Sequence, residues 1–292
     1  LFTYDGKLAA IPMGQNLCGI VANLSLLEKE GLAIPTDTHD FLDVLAVLKE
    51  KGYTPIQGPT SKVYAELIRG AAFSALCSDE KLLAAAKAGS DEAVAALKPT
   101  FDFLSTVLKK GYTDPAINDE YPQDNYDQAI LRFFEGDVPF WVCNTEKVSG
   151  MKKRESKSEA FQNAPFDYGF LYVPVGQDGN FIFQEPWYGF AANKDGDEPD
   201  YAVEFIRFLA TTDENNNMAD IKGIPSIAAA ASASNSVYGT VRDPIFLKTR
   251  VVNTGAITPA MEASWYTVAT GFAGGSYDSA ESAIREFLTS VQ

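Results

Sequence analysis

Apolar residues recur at spacings of three and four along several segments of the chain, each bounded by polar or glycine stops. Between residues 38 and 51, Phe41, Val44, Leu45 and Leu48 fall on one side, while Asp40, Asp43, Lys49 and Glu50 fall on the other. This predicts an amphipathic helix that ends at Gly52. The same spacing places Leu97, Phe101, Leu104 and Leu108 on a helix capped by Ser90, with a kink expected at Pro99. Further stripes are Ala202, Phe205, Ile206 and Leu209, then Ile284, Phe287, Leu288 and Val291 at the end of the chain. Residues 25–30, 80–88, 126–135 and 259–272 also read as helices, and residues 63–76 as an apolar, buried one.

Short apolar runs flanked by turn residues predict strands over 7–11, 17–21, 53–56, 138–143, 168–173, 180–183 and 187–192. Residues 12–16, Pro-Met-Gly-Gln-Asn, separate the first two and read as an irregular polar crossing. Helices and strands alternate through most of the chain, which predicts an α/β fold.

At 292 residues the chain is long enough for two domains or lobes. The formal charge of −15 speaks against a polyanionic partner, because binding nucleic acid requires basic surface to displace counterions. The one dense basic run, Lys152, Lys153, Arg154 and Lys157, is interrupted by Glu155 and reads as a surface turn. Cys18, Cys77 and Cys143 match no metal spacing and sit among apolar neighbours, as buried free thiols do. A single histidine, His39, excludes a histidine-rich metal centre. No cofactor motif is present, and no apolar run approaches a membrane span.

Four blocks, in order, carry a resemblance to a known family. Residues 6–36 read as a short strand ending in Pro12, a polar crossing, an apolar strand, Asn23, a helix, then Gly31, Leu32, Pro35 and, just beyond, Thr38. Residues 131–151 (LRFFEGDVPFWVCNTEKVSGM), 185–211 (EPWYGFAANKDGDEPDYAVEFIRFLAT) with 218–227 (MADIKGIPSI), and 263–275 (ASWYTVATGFAGG) follow. Together they resemble the sugar-binding subgroup of extracellular solute-binding proteins, the maltose-binding-protein-like capture subunits of ABC importers. His39 and Glu146 depart from the pattern, standing where the family has an aromatic residue and a tryptophan.

The resemblance implies a two-lobed α/β periplasmic-binding-protein fold of type II. Residues 17–188 and 227–292 would form lobe two; residues 1–16 and 189–226 would form the remnant of an incomplete lobe one. Hinges are expected at 12–16, near Trp187 and near Pro225. The implied partners are a small sugar ligand and ABC permease subunits, and the implied location is outside the cytoplasm. The opening Leu1-Phe2-Thr3 would fall inside the family pattern, with the signal and lipid-anchor segments outside this chain. Weak ligand affinity and a tendency to associate would follow.

Sugar recognition needs flat apolar faces for ring C–H groups and planar polar groups for hydroxyls. Covering about 100 Å² of ring face contributes roughly 2.5 kcal/mol at about 25 cal/mol per Å². Two such contacts plus charge-assisted hydrogen bonds reach the roughly 8 kcal/mol of micromolar binding. The candidates are Gln15 and Asn16 in the crossing, Tyr64 just after a Gly-Pro loop, Asn144 and Glu146 in a loop, Glu185 and Trp187 at the return crossing, and Trp265 with Tyr266 in the last block. Trp141 reads as core.

An extracellular glycoside hydrolase is the alternative, with Glu146 and Glu185 as its carboxylates. Ser149-x-x-Lys152 spells a penicillin-recognising motif but lacks its companion motifs. The acidic stretch 193–200 lacks the glycine and terminal glutamate of a calcium loop and reads as a solvated turn.

Overall fold

The structure, a computed structural model, describes residues 2–4, 7–58, 62–77, 79–114, 126–175, 181–186, 188–223, 237, 249–252 and 256–291. Strands β1 (Thr3–Tyr4), β2 (Lys7–Leu8) and β3 (Ile11–Pro12) lead into the long β4 (Gln15–Asn23). Helices α1 (Leu24–Lys29) and α2 (Thr38–Glu50), strand β5 (Ile56–Gln57) and helices α3 (Val63–Cys77), α4 (Glu80–Lys87), α5 (Asp91–Lys109) and α6 (Tyr126–Phe133) follow. Then come β6 (Phe140–Asn144), the short helices α7 (Thr145–Val148), α8 (Met151–Glu155) and α9 (Glu159–Asn163), and strands β7 (Tyr168–Leu171), β8 (Phe181–Pro186) and β9 (Gly189–Phe190). Helices α10 (Pro199–Leu209) and α11 (Thr212–Lys222), strand β10 (Thr249–Val252) and helices α12 (Pro259–Ala273) and α13 (Ala280–Thr289) complete the order.

The main sheet runs β10-β8-β4-β6-β5, with β7 beside the second half of β4. Strand β4 is antiparallel to β6, β7 and β8, whereas β5 parallels β6 and β10 parallels β8. The amino end of β4 therefore points the same way as the carboxyl ends of its five companions and lies beside those of β6, β8 and β10. Side chains of β4 alternate as a pleated strand requires. Cys18, Ile20 and Ala22 enter a large core with α2, α3, α5, α12 and α13. Leu17 and Val21 enter a second core with Trp141, Phe133, Phe134 and Phe170. Gly19 lies where Leu171 crosses: a Cβ there would sit 2.2 Å from the Leu171 carbonyl oxygen.

A third, small cluster lies off this sheet. Met13, Ile206 and Leu209 are buried in it, with Ile11, Tyr188, Ala192 and Met218 packed around them. Two antiparallel crossings connect it to the main body. β3 pairs with β9 (Pro12 opposite Gly189), the Met13 amide donates to the Tyr188 carbonyl at 2.8 Å, and Gln15 stands opposite Pro186. The two crossings thus form one ribbon. Gly189 is needed within it, since a Cβ would come within 2.6 Å of the Ile11 carbonyl oxygen.

Several expectations need correction. Residues 15 and 16 are not irregular but open β4, because β8 offers them a backbone ladder. Residues 145–148 form a helical turn rather than a loop, since the Asn144 side chain accepts the Lys147 amide and caps it. On α10, Ile206 and Leu209 face inward but Phe205 is 58% exposed, so its apolar stripe is only half covered. The basic run lies on and after α8, and three of its members are matched by acids: Lys152 by Glu155, Arg154 and Lys157 by Asp127. Trp141 is core, 1% exposed.

Candidate functional site

The site is built where the ribbon meets the main sheet. The ladder between β4 and β6 ends at the pair Cys18 and Asn144. One residue earlier, the Leu17 amide has no strand carbonyl to meet, because the chain after Asn144 turns into α7. Thr145 Oγ1 takes that amide at 3.1 Å and donates in turn to Asn16 Oδ1 at 3.3 Å. Asn16 and Asn144 are each 6% exposed and Thr145 is fully buried. Buried amides are kept only where hydrogen bonds hold them, so this knot fixes planar polar groups at the mouth of the crossing. Glu185 stands opposite Asn16 on β8.

A second polar group flanks the first. Helix α3 starts just beyond the carboxyl end of β5, and α12 crosses it. The Arg69 guanidinium, with a side chain 5% exposed, donates to Glu262 and, at 3.2 Å, to Cys18 Sγ on β4. The Tyr266 hydroxyl donates to Glu66 Oε1. Glu66 Oε2 lies 3.9 Å from Arg69 Nη1 and accepts no hydrogen bond among the described residues. Lys62 Nζ stands 5.7 Å from the centre of the Tyr266 ring. Burial, and then the Glu66 charge, push the Tyr266 phenol far above its usual range, so it remains a donor at physiological pH. The Cys143 thiol is also pushed up, chiefly by burial and to a lesser extent by Glu66. Arg69 bonds Cys18, the β4 residue paired with Asn144, and this ties the two groups to one edge.

The sequence-predicted residues fare unequally. Asn16, Asn144 and Tyr266 lie in the two groups just described, and Gln15 and Glu185 contribute their backbones to the same crossing. Trp187 and the hinge expected near Pro225 lie outside the described residues, as do the side chains of Gln15 and Glu185. Glu146 is exposed on α7. Two expectations are corrected. Trp265 is fully buried, with ring centres of Phe73, Phe101 and Phe287 at 5.5, 5.5 and 5.3 Å, so it has no free face for a sugar. Tyr64 is 6% exposed and belongs to the same core.

Glu66, Arg69 and Glu262 escaped notice in the sequence. Their signal was two charges three residues apart in an otherwise apolar helix. Elsewhere, a groove of about 600 Å³ lined by Lys98, Asp102, Phe272 and Tyr277 lies on the helical flank. Phe272 is ten residues along α12 from Glu262, about 15 Å by helical rise. Among the described residues no cluster of acidic, histidine or cysteine side chains could hold a metal ion. No helix there is long and apolar enough to cross a membrane.

Residues 1–245 match the profile of the bacterial extracellular solute-binding protein family. The chain belongs to that family. Over 235 residues it is 24% identical to the melibiose/raffinose/stachyose-binding protein MelE of Bacillus subtilis, covering 76% of this chain and 51% of MelE. The chain thus spans about half the length of this curated relative. Among solved structures, the binding protein MsmE of Bacillus subtilis in an open conformation superposes with a TM-score of 0.74 at 17% identity, covering 98% of this chain and 72% of MsmE. A Bacillus licheniformis sugar transporter in complex with stachyose superposes at 0.72 and 17% identity, covering 99% and 74%. The α/β fold is that of the two-lobed solute-binding proteins.

Proposed function

We propose that this chain captures a carbohydrate, most readily an oligosaccharide, at the mouth of the crossing ribbon, and hands it to the membrane subunits of an ABC importer. The knot of Asn16, Thr145 and Asn144 at the carboxyl edge of the sheet carries this reading. Ligands of open α/β sheets collect at such edges, and planar amides suit paired sugar hydroxyls. MelE, a melibiose/raffinose/stachyose-binding protein, and the Bacillus licheniformis complex with stachyose support it. The Asn16 edge, Tyr266 and the crossing at residues 185–187 would supply the contacts.

We assign residues 17–188 and 227–292 to one lobe, and residues 1–16 and 189–226 to the other. The small cluster around Met13 supports that division, although Tyr188 packs with it from one residue beyond the boundary. Closure would bend the ribbon. The protein acts outside the cytoplasm, held to the membrane by a lipid anchor in its precursor, and as a receptor rather than an enzyme. Glu146 supports the last point: it is exposed and lacks the apolar enclosure that lets a carboxyl group act as a general acid.

Saturation-transfer NMR on the 292-residue chain, with raffinose, stachyose, xylo- and chito-oligosaccharides up to millimolar concentration, tests this reading. At least one sugar should receive saturation and remain chemically unchanged after a day. No transfer from any of them, or steady release of smaller sugars, overturns it.

A further inference from the structure

We infer that Glu66 and Tyr266 form a sugar-binding pair on α3 and α12 that takes two adjacent hydroxyls of a neutral sugar unit and rejects acidic sugars. This rests on the capture reading above and adds a subsite with a chemical preference.

Three observations carry it. Glu66 keeps 19% of its side chain exposed and Glu262 32%, while Arg69, between them, keeps 5%. Two carboxylates therefore reach the rim from a guanidinium anchored behind them, which holds them in place before any ligand arrives. Tyr266 already spends its proton on Glu66 Oε1, so its own oxygen is left to accept from a hydroxyl. Glu66 Oε2 has no hydrogen-bond donor among the described residues although it is shut off from solvent. A carboxylate oxygen in that condition calls for a donor. Glu66 as a whole is one-fifth exposed, so a hydroxyl arriving beside Tyr266 meets its carboxylate.

A sugar hydroxyl donates to a carboxylate; a uronate unit keeps its ring hydroxyls, but the carboxylate that replaces its C6 hydroxyl cannot donate. Against Glu66 and Glu262 a uronate would also meet two like charges, and the nearest guanidinium, Arg69, is already committed to Glu262 and Cys18. The pair thus separates neutral units from acidic ones.

The test is titration of the full 292-residue chain, followed by saturation-transfer NMR, for wild type, Glu66→Gln, Glu66→Asp and Tyr266→Phe. The probes are the best neutral oligosaccharide of the panel and a galacturonide of equal length, and melting curves check each variant's fold. Glu66→Gln should weaken the neutral sugar at least tenfold and narrow the neutral-to-acidic preference at least fivefold. Tyr266→Phe should weaken the neutral sugar about threefold to tenfold. If wild type binds and all folded variants stay within twofold with an unchanged preference, the subsite is wrong while the capture reading stands. If wild type binds no sugar, the capture reading falls and takes this inference with it. Should Glu66→Gln lose its fold, Glu66→Asp and Tyr266→Phe decide by the same criteria.

Discussion

The indole nitrogen of Trp265 donates to the main-chain carbonyl of Ala65 at 3.0 Å, so that α12 is pinned across α3 at full burial. That bond, with Phe73, Phe101 and Phe287 around the ring, makes Trp265 a structural centre. Trp265→Ala should cost about 3–5 kcal/mol, as large aromatic truncations in cores do. Trp265→Phe should cost less, because ring packing survives and only the polar contact is lost. Urea unfolding of both variants measures this. Sugar binding by Trp265→Phe should stay near wild type; a selective loss of binding without destabilisation would return Trp265 to the site.

Thr145→Val keeps the volume but removes both the acceptor of the Leu17 amide and the donor to Asn16. A buried amide left without a partner costs about 1–3 kcal/mol. Urea unfolding should show that loss, and sugar affinity should fall as Asn16 loses its orientation. Asn16→Ala should weaken sugar binding at least as much as Thr145→Val while destabilising the fold less.

Gly189→Val tests the ribbon. The new side chain would collide with the Ile11 carbonyl oxygen, 2.6 Å from the Cβ position, and force β3 and β9 apart. Amide exchange at Met13, which donates to Tyr188 in the native ribbon, should speed up at least tenfold while exchange in β4 and β6 stays slow. Equal acceleration in both regions would mean that the ribbon and the main sheet open as one unit.

Cys18 and Cys143 are buried and Cys77 half-buried, all three as free thiols. Burial raises the Cys143 and Cys77 thiols, which leaves little of the reactive thiolate at neutral pH. A thiol reagent such as DTNB should modify Cys77 slowly, and Cys18 and Cys143 only after denaturation. Fast native labelling of Cys18 would show that the Arg69 contact makes it a thiolate open to solvent.

The elements most legible in the sequence were those whose pattern is local. Phe41, Val44, Leu45 and Leu48 are all buried, as their spacing requires, and the order of elements through β4, β6 and β8 follows the apolar runs. Pairing partners were not legible: residues 15 and 16 look like a polar loop until β8 supplies the ladder that makes them a strand. Phe205 shows the same limit from the other side, since its place in a stripe cannot tell which half of the stripe is covered. In the site, Trp265 drew attention because rings bind sugars, yet ring chemistry is indifferent between a core and a cleft. Glu66 and Arg69 were hidden by the apolar helix around them, although two charges inside such a helix are costly unless partnered and so mark a buried network. The partners, Glu262 and Tyr266, lie about two hundred residues away, a distance no local pattern spans.

The acid limb of stability should be set in part by two surface carboxylates. Glu30 accepts from Lys51 Nζ at 2.6 Å and from the Tyr53 hydroxyl at 2.7 Å, and these bonds hold its carboxyl below the ordinary value of 4.5. Asp127, bonded by Arg154 and by Lys157 at 3.2 Å, is likewise held below 3.8. A carboxyl with a lower pKa in the folded chain than in the unfolded one binds fewer protons when folded. Its stabilisation is complete above the unfolded value and drains away as pH falls through the folded one. Stability should therefore be insensitive to these groups at pH 6 to 8 and should begin to fall below about pH 4.5. Glu30→Gln and Asp127→Asn remove the titrating groups, so each variant should be less stable than wild type at pH 7, with the gap narrowing as pH falls from about 4.5 toward 3. Urea midpoints measured from pH 3 to 8 give the comparison. A difference that stays constant across this range would mean that the two carboxylates act through shape and packing rather than through their charge.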